Sequence, residues 1–235
     1  MRYRFLKEHE ESICRQTMGA YAFHHVVADA LMRRHPLSVI RVSDGEKRAL
    51  DYAEGKQPDD LMLCCDEGFR KAFGVEGITC GMLNHRIHTA ATRCTHFAPT
   101  LGFFNESYDL TPYFAYLMNT FDRPQFVCEM FQYHWSLKMR KTLMELAGDV
   151  LIINRDPVVL DNMKQMMGTS ARVSQVHLNN WDGAEEALGE AIARNPRLTL
   201  MSAALGSKYI GPYLANMTNS VVLDIGQAAN VWHLE

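Results

Sequence analysis

Asp44 and Glu46 flank Gly45 directly after the apolar run Val39-Ile40-Arg41-Val42 and Ser43. Carboxylate oxygens are hard ligands, so two of them can hold a cation such as Mn²⁺ or Mg²⁺. Geometry sets a condition on this. Residues two apart do not share a helix face, so both acids reach one ion only if Asp44 and Gly45 lie in the loop between a strand and the helix after it. Gly45 makes that bend easy. In an open α/β sheet, ligands collect outside the carboxyl ends of the strands, where this sequence puts the pair. A purely structural role fits the same residues: Asp44 as a helix N-cap and Glu46 as a first-turn acid, each favoured at the positive end of a helix.

A second stretch that could do chemistry is Ala203-Ala204-Leu205-Gly206-Ser207-Lys208, which reads as a strand end, a glycine and a new helix. The unpaired N–H groups of such a helix favour an anion, and Lys208 could add a charge to a diphosphate. An ordinary tight turn with an exposed lysine fits as well. The GxxxxGK[ST] and GxGxxG spacings are both absent. Leu223-Asp224-Ile225-Gly226 is a third strand end with a carboxylate. It suggests a methyltransferase cofactor site, but Gln227-Ala228-Ala229-Asn230 follows in place of a glycine-rich turn, and only nine residues remain after Gly226.

The elements that must position these residues follow from hydrophobic period. Residues 1–36 read as an N-terminal helix closed by His35-Pro36. Residues 55–121 read as an irregular helical and aromatic insertion, with helices near Pro58 to Phe73 and Met82 to Cys94, suited to acceptor recognition. His85, His88 and His96 in this block could share a metal, but no further ligand follows at a known spacing, so ordinary hydrogen-bonded histidines are expected.

Beyond it, strands are expected at Gln125–Met130, Asp149–Asn154, Arg172–Leu178, Arg197–Ser202 and Ser220–Ile225. Helices alternate with them: Ser136 to Ala147 stopped by Gly148, Asp156-Pro157 to Gly168, and one capped by Asp182 with Glu185 three residues on. This alternation predicts a single α/β domain over residues 1–235, a Rossmann-like, mostly parallel sheet with helices on both faces.

Composition agrees with one soluble globular domain: 235 residues, 47% hydrophobic and 22% charged. The net charge of −3 argues against a nucleic-acid partner. Six cysteines without a CxxC pair indicate reduced, buried thiols and a cytoplasmic location. Acidic residues interrupt the basic start before an apolar run can form, so no signal peptide is expected, and no stretch of this sequence reaches the eighteen or so apolar residues that a membrane span needs.

Together, Arg41-Val42-Ser43-Asp44-Gly45-Glu46 near the start, and Ala204-Leu205-Gly206, Leu223-Asp224-Ile225-Gly226 and Trp232 near the end, resemble the GT-D type of bacterial glycosyltransferase. The resemblance covers the chain from about Leu37 onward. It implies that Asp44 and Glu46 are a DXE motif holding a divalent cation, Mn²⁺ or Mg²⁺, with a nucleotide-sugar donor such as a uridine diphosphate sugar. It further implies that Arg41 pairs with a carboxylate or phosphate, and that a glycan or related acceptor receives the sugar. Gly206, Ser207 and Lys208 would form the wall facing the diphosphate, an expectation from helix polarity, with Asp224 beside them. For a general base, His85, His88 and Asp224 are open candidates. The sequence departs from the family pattern where Gln227, Ala228 and Ala229 replace a histidine and an acid after DIG, and where Ser43 replaces a glycine. The alternative is therefore an inactive relative that binds a nucleotide or glycan.

Overall fold

The computed structural model describes residues 17–42, 67, 70–71, 74–99, 125–168 and 170–234. Asp44, Glu46, residues 1–16 and most of the 55–73 and 100–121 stretches lie outside the described residues.

Among the described residues seven strands form one sheet in the order β3-β2-β1-β7-β6-β4-β5. They are β1 (Leu37–Val42), β2 (His96–Pro99), β3 (Gln125–Phe126), β4 (Asp149–Asn154), β5 (Arg172–His177), β6 (Leu198–Ser202) and β7 (Val221–Asp224). Every pairing between them is parallel. Parallel neighbours need crossovers, and helices supply them: α1 (Ala20–Arg33), α2 (Cys80–Arg93), α3 (Phe131–His134), α4 (Leu137–Ala147), α5 (Pro157–Met167), α6 (Ala184–Arg194) and α7 (Ala204–Thr218).

Strand alternation sorts the apolar side chains between two helical layers. Val39, Val150, Ile152, Val221 and Leu223 face a core with Phe23, Val27, Leu143 and Met163 from α1, α4 and α5. Ile40, Leu151, Ile153 and Val222 face Leu83, Ile87, Ala187, Ile210 and Leu214 from α2, α6 and α7. Helix α7 lies flush on the sheet because Gly211 has no side chain: a Cβ there would meet the Met201 methyl at 2.7 Å. That close fit sets where the first turn of α7 stands relative to β7 and β1.

Local chemistry bears out several expected boundaries. Asp156 caps α5 by accepting from the Val158 N–H at 2.9 Å, with Pro157 in the first turn. Ser136 caps α4, and Gly148 ends it at φ 67°. Helix α1 ends at Arg34, whose left-handed backbone lets its N–H reach the Ala30 carbonyl.

Elsewhere the structure corrects the reading. The 55–121 block contributes β2 to the central sheet, a four-residue strand too short to show a period. The expected strand at Gln125–Met130 closes after Phe126, Val127 bridging to Met18; the Phe131 N–H then donates to the Cys128 carbonyl and turns the chain into α3. Asp182 does not cap α6. Gly183 does, at φ 86°, while the Asp182 N–H is drawn back to Asn180 Oδ1 at 3.1 Å and Glu185 pairs with Arg86 at 3.2 Å. Cys94 and Cys128 are buried and form no disulfide. Burial pushes the Cys94 thiol far up, away from a reactive thiolate. Among the described residues no helix is long and apolar enough to cross a membrane.

The C-terminal segment is tied down by a buried cation. Trp232 packs on Trp135 at 6.1 Å within a cluster with Phe23 and Phe131, and its Nε1–H donates to the Gln132 carbonyl at 2.6 Å. Arg140, 7% exposed, donates to the carbonyls of Trp135, Trp232 and Leu234. Replacing Arg140 by Met keeps the packing of the stem but strands three acceptors. Stability is expected to fall by about 2–4 kcal/mol, read from the urea midpoint at unchanged slope. An unshifted midpoint would show that the segment is held some other way.

Candidate functional site

Because β1 lies between β2 and β7, the front of the chain and its last quarter meet at one end of the sheet. Arg41 is the penultimate residue of β1 and Asp224 the last of β7. The Arg41 N–H donates to Asp224 Oδ2 at 3.3 Å, and the Gly226 N–H donates to Asp224 Oδ1 at 3.2 Å. Lys208, one turn into α7, brings its ammonium onto the same carboxylate. Asp224 has no exposed surface and Lys208 is 5% exposed, so this is an ion pair inside the protein. A buried carboxylate is tolerated only when paired and hydrogen-bonded, and Asp224 is both.

The guanidinium of Arg41 is fixed from two sides. Nη2 donates to Glu129 Oε1 at 3.1 Å, and the Glu129 side chain is itself only 10% exposed. Gly226 forms the other wall, at φ 48°, where a Cβ would fall 1.5 Å from Arg41 Nη1. Glycine is required there twice over, for the backbone conformation and for the space the guanidinium occupies.

The turn into α7 is lined differently. Ala204 opens the helix at φ 44°, a left-handed conformation unusual for a residue with a Cβ. Gly206 is buried against the loop after β5: a Cβ would meet the Asn180 carbonyl oxygen and Leu178 Cδ2, each at 3.0 Å. Ser207 has no exposed surface and donates to the Ala204 carbonyl at 2.6 Å, while Lys208 Nζ approaches its Oγ at 3.4 Å. The lysine therefore stands inside the wall, its charge shared with Asp224. Behind this turn Trp181, Tyr209 and Tyr213 pack in sequence as tilted ring pairs, their centroids 5.5 and 5.2 Å apart, with Arg86 over Tyr209 and Arg93 over Tyr213. Burial, and next the Glu185 carboxylate, push the Tyr209 phenol up, so it stays neutral.

Of the expected site residues, the structure brings Arg41, Lys208 and Asp224 into one network, with Gly206 and Ser207 in the adjoining turn. Asp44 and Glu46 lie outside the described residues. His85, His88 and His96 do not form a common site. His96 contacts the Phe23 ring on the α1 side of the sheet, whereas His85 and His88 ride on α2 on the opposite side. Among the described residues no three metal-ligating side chains cluster. A cavity of about 320 Å³ opens at the far, amino end of the sheet between Arg34, Asn195, Arg197 and Asn219, away from this corner.

Glu129 is the residue that sequence reasoning missed. The expected strand Gln125–Met130 covers it, although a lone carboxylate in an apolar run is the same signal that marks Asp224.

A family model described as a GT-D fold-like domain matches residues 19–232. Three solved structures share the fold. One is described as a new glycosyltransferase, DUF1792, from Streptococcus sanguinis: TM-score 0.55 and 13% identity, over 87% of this chain and 80% of that one. A second is reported as the highly conserved domain of unknown function 1792 with a distinct glycosyltransferase fold: TM-score 0.54, 14% identity, 91% and 78% coverage. The third is a selenomethionine-substituted form of the same domain: TM-score 0.56, 13% identity, 97% and 83% coverage. No curated protein matches the chain.

The internal ion pair makes a specific prediction. Lys208→Met alone leaves the Asp224 carboxylate without its cation and is expected to cost about 3–5 kcal/mol. Adding Asp224→Asn, which removes the unpaired charge and keeps one carbonyl oxygen to accept from either the Arg41 or the Gly226 N–H, should restore part of that loss in chemical denaturation. Strictly additive losses would mean that the two side chains do not act as a pair.

Proposed function

The chain belongs to the GT-D-like family, and from that premise we propose that it is a metal-dependent glycosyltransferase moving a sugar from a nucleoside-diphosphate donor, a uridine diphosphate sugar, to a glycan or related acceptor. One observation carries the reading. The Arg41 N–H is bonded to Asp224 across neighbouring strands, so the segment leading into Asp44-Gly45-Glu46 leaves the sheet beside the turn that opens α7. Asp44 follows Val42 by two residues, a tether of at most about 7 Å.

The donor set fits a hard cation. The described carboxylates of this corner, Asp224 and Glu129, are engaged by Lys208 and Arg41, which leaves Asp44 and Glu46 to hold the metal. A divalent ion bound there would neutralise charge on the departing diphosphate. Arg41 offers a planar fork suited to phosphate oxygens, held in place by Glu129 and Gly226. The positive pole of α7, with Gly206 and Ser207 in its first turn, faces the same anion. Lys208 and Asp224 serve this surface from within by fixing the relative positions of α7, β7 and the exit of β1.

A specific observation favours a second reading, a binding protein without turnover. After Gly226 the chain forms a 3₁₀ turn in which Ala228 and Ala229 are buried and carry no group able to move a proton.

Calorimetric titration of UDP with and without Mn²⁺, followed by a donor-hydrolysis assay, separates the two. Cleavage of a nucleotide sugar supports the enzyme; metal-dependent binding with no cleavage of any donor supports the binding protein. Asp44→Asn is expected to abolish metal-dependent UDP binding while leaving the thermal midpoint within a few degrees of the original. Unchanged Mn²⁺ affinity in that variant would remove the metal assignment.

A further inference from the structure

Four charged side chains converge where β1 and β7 end and the chain leaves β3, and their formal charges cancel: Arg41 against Glu129, and Lys208 against Asp224. Both acids are buried, their side chains 10% and 1% exposed, so solvent screens neither of them much. In the sequence that follows Arg41, the acids Asp44 and Glu46 are matched by the bases Lys47 and Arg48, so that stretch adds no net charge. Among the described residues this corner has no surplus positive charge for a polyanion, although it holds a guanidinium and an ammonium. The imbalance disappears if the anion arrives with its own cation.

Resting on the glycosyltransferase reading, we propose that Glu129 makes this corner discriminate between a free nucleoside diphosphate and its divalent-cation complex. Its carboxylate cancels the charge of Arg41 while holding the guanidinium plane against Gly226, so the fork keeps its geometry and loses its net attraction. The free anion carries two more negative charges than its cation complex and is penalised correspondingly more by a carboxylate at short range. Gln at this position would keep the acceptor that orients Nη2 and remove the charge. Asp would keep the charge on a shorter stem.

The test is calorimetric titration of UDP into the full chain, once with saturating Mn²⁺ and once with EDTA, for the unaltered protein, Glu129→Gln and Glu129→Asp. The quantity that decides is the ratio of the two affinities. In the unaltered protein and in Glu129→Asp, UDP is expected to bind far more tightly with Mn²⁺. In Glu129→Gln that ratio should shrink by roughly tenfold to a hundredfold, mainly through gained affinity in EDTA, the scale of one unit charge at close range in a partly buried site. An undiminished ratio in Glu129→Gln, or the same shrinkage in Glu129→Asp, overturns the proposal and leaves the glycosyltransferase reading standing. Absence of UDP binding by the unaltered protein even with Mn²⁺ overturns both. Thermal melts accompany each titration; if Glu129→Gln does not fold, Glu129→Met removes the same charge and is judged by the same ratio.

Discussion

The carboxylate of Asp224 is the point on which the rest of the corner depends. Burying an ion with no exposed surface is costly unless every lone pair finds a donor, and here three elements supply them: the ammonium of Lys208 from α7, the Arg41 N–H from β1 and the Gly226 N–H from the turn after β7. None of these groups could shift independently without leaving a buried charge short of a partner. The carboxylate therefore acts as a geometric constraint. It specifies that β7 lies beside β1, that α7 starts above both, and that the chain bends at Gly226.

Packing holds the same arrangement from the two faces of the sheet. On one side α7 sits close because Gly211 admits Met201, and Gly206 admits the Asn180 carbonyl, so its first turn has little freedom to rise. On the other, the aromatic cluster of Phe23, Phe131, Trp135 and Trp232 closes over the strands, with Arg140 binding the last residues to α3 and α4. The segment from Gly226 to Trp232 thus lies between a polar corner and an apolar core. That position explains why the turn after DIG contains buried alanines: Ala228 and Ala229 are core residues, and a charged side chain at either place would need its own partner.

The electrostatics of the corner differ from what a list of cations would suggest. Arg41 and Lys208 are both basic, and both are committed to carboxylates within the protein. On the proposed reading, what such a corner offers a diphosphate is shape, together with the positive pole of α7. In the proposed function, surplus positive charge is left to the bound cation. In a partly buried site that division is physically reasonable, because preorganised dipoles cost nothing to reorient whereas an unpaired buried cation costs several kcal/mol before any ligand arrives.

By itself the sequence determined the class of fold and the ends of the strands where chemistry is expected. The reason is that both are local. Alternating apolar runs and capped helices, such as Asp156-Pro157 and Ser136 to Gly148, are written in consecutive residues and need no distant partner to be read. Short or context-dependent elements were not legible: β2 has four residues, Glu129 sat inside an apolar run, and Asp182 looked like a cap until its N–H turned toward Asn180. The tertiary structure alone decided which residues share charge. Arg41 and Asp224 are 183 positions apart, Arg41 and Glu129 88, and Lys208 and Asp224 sixteen. Nothing in local periodicity encodes such separations. They are fixed by the order of strands in the sheet, which follows from burying both faces at once and pairing every buried ion.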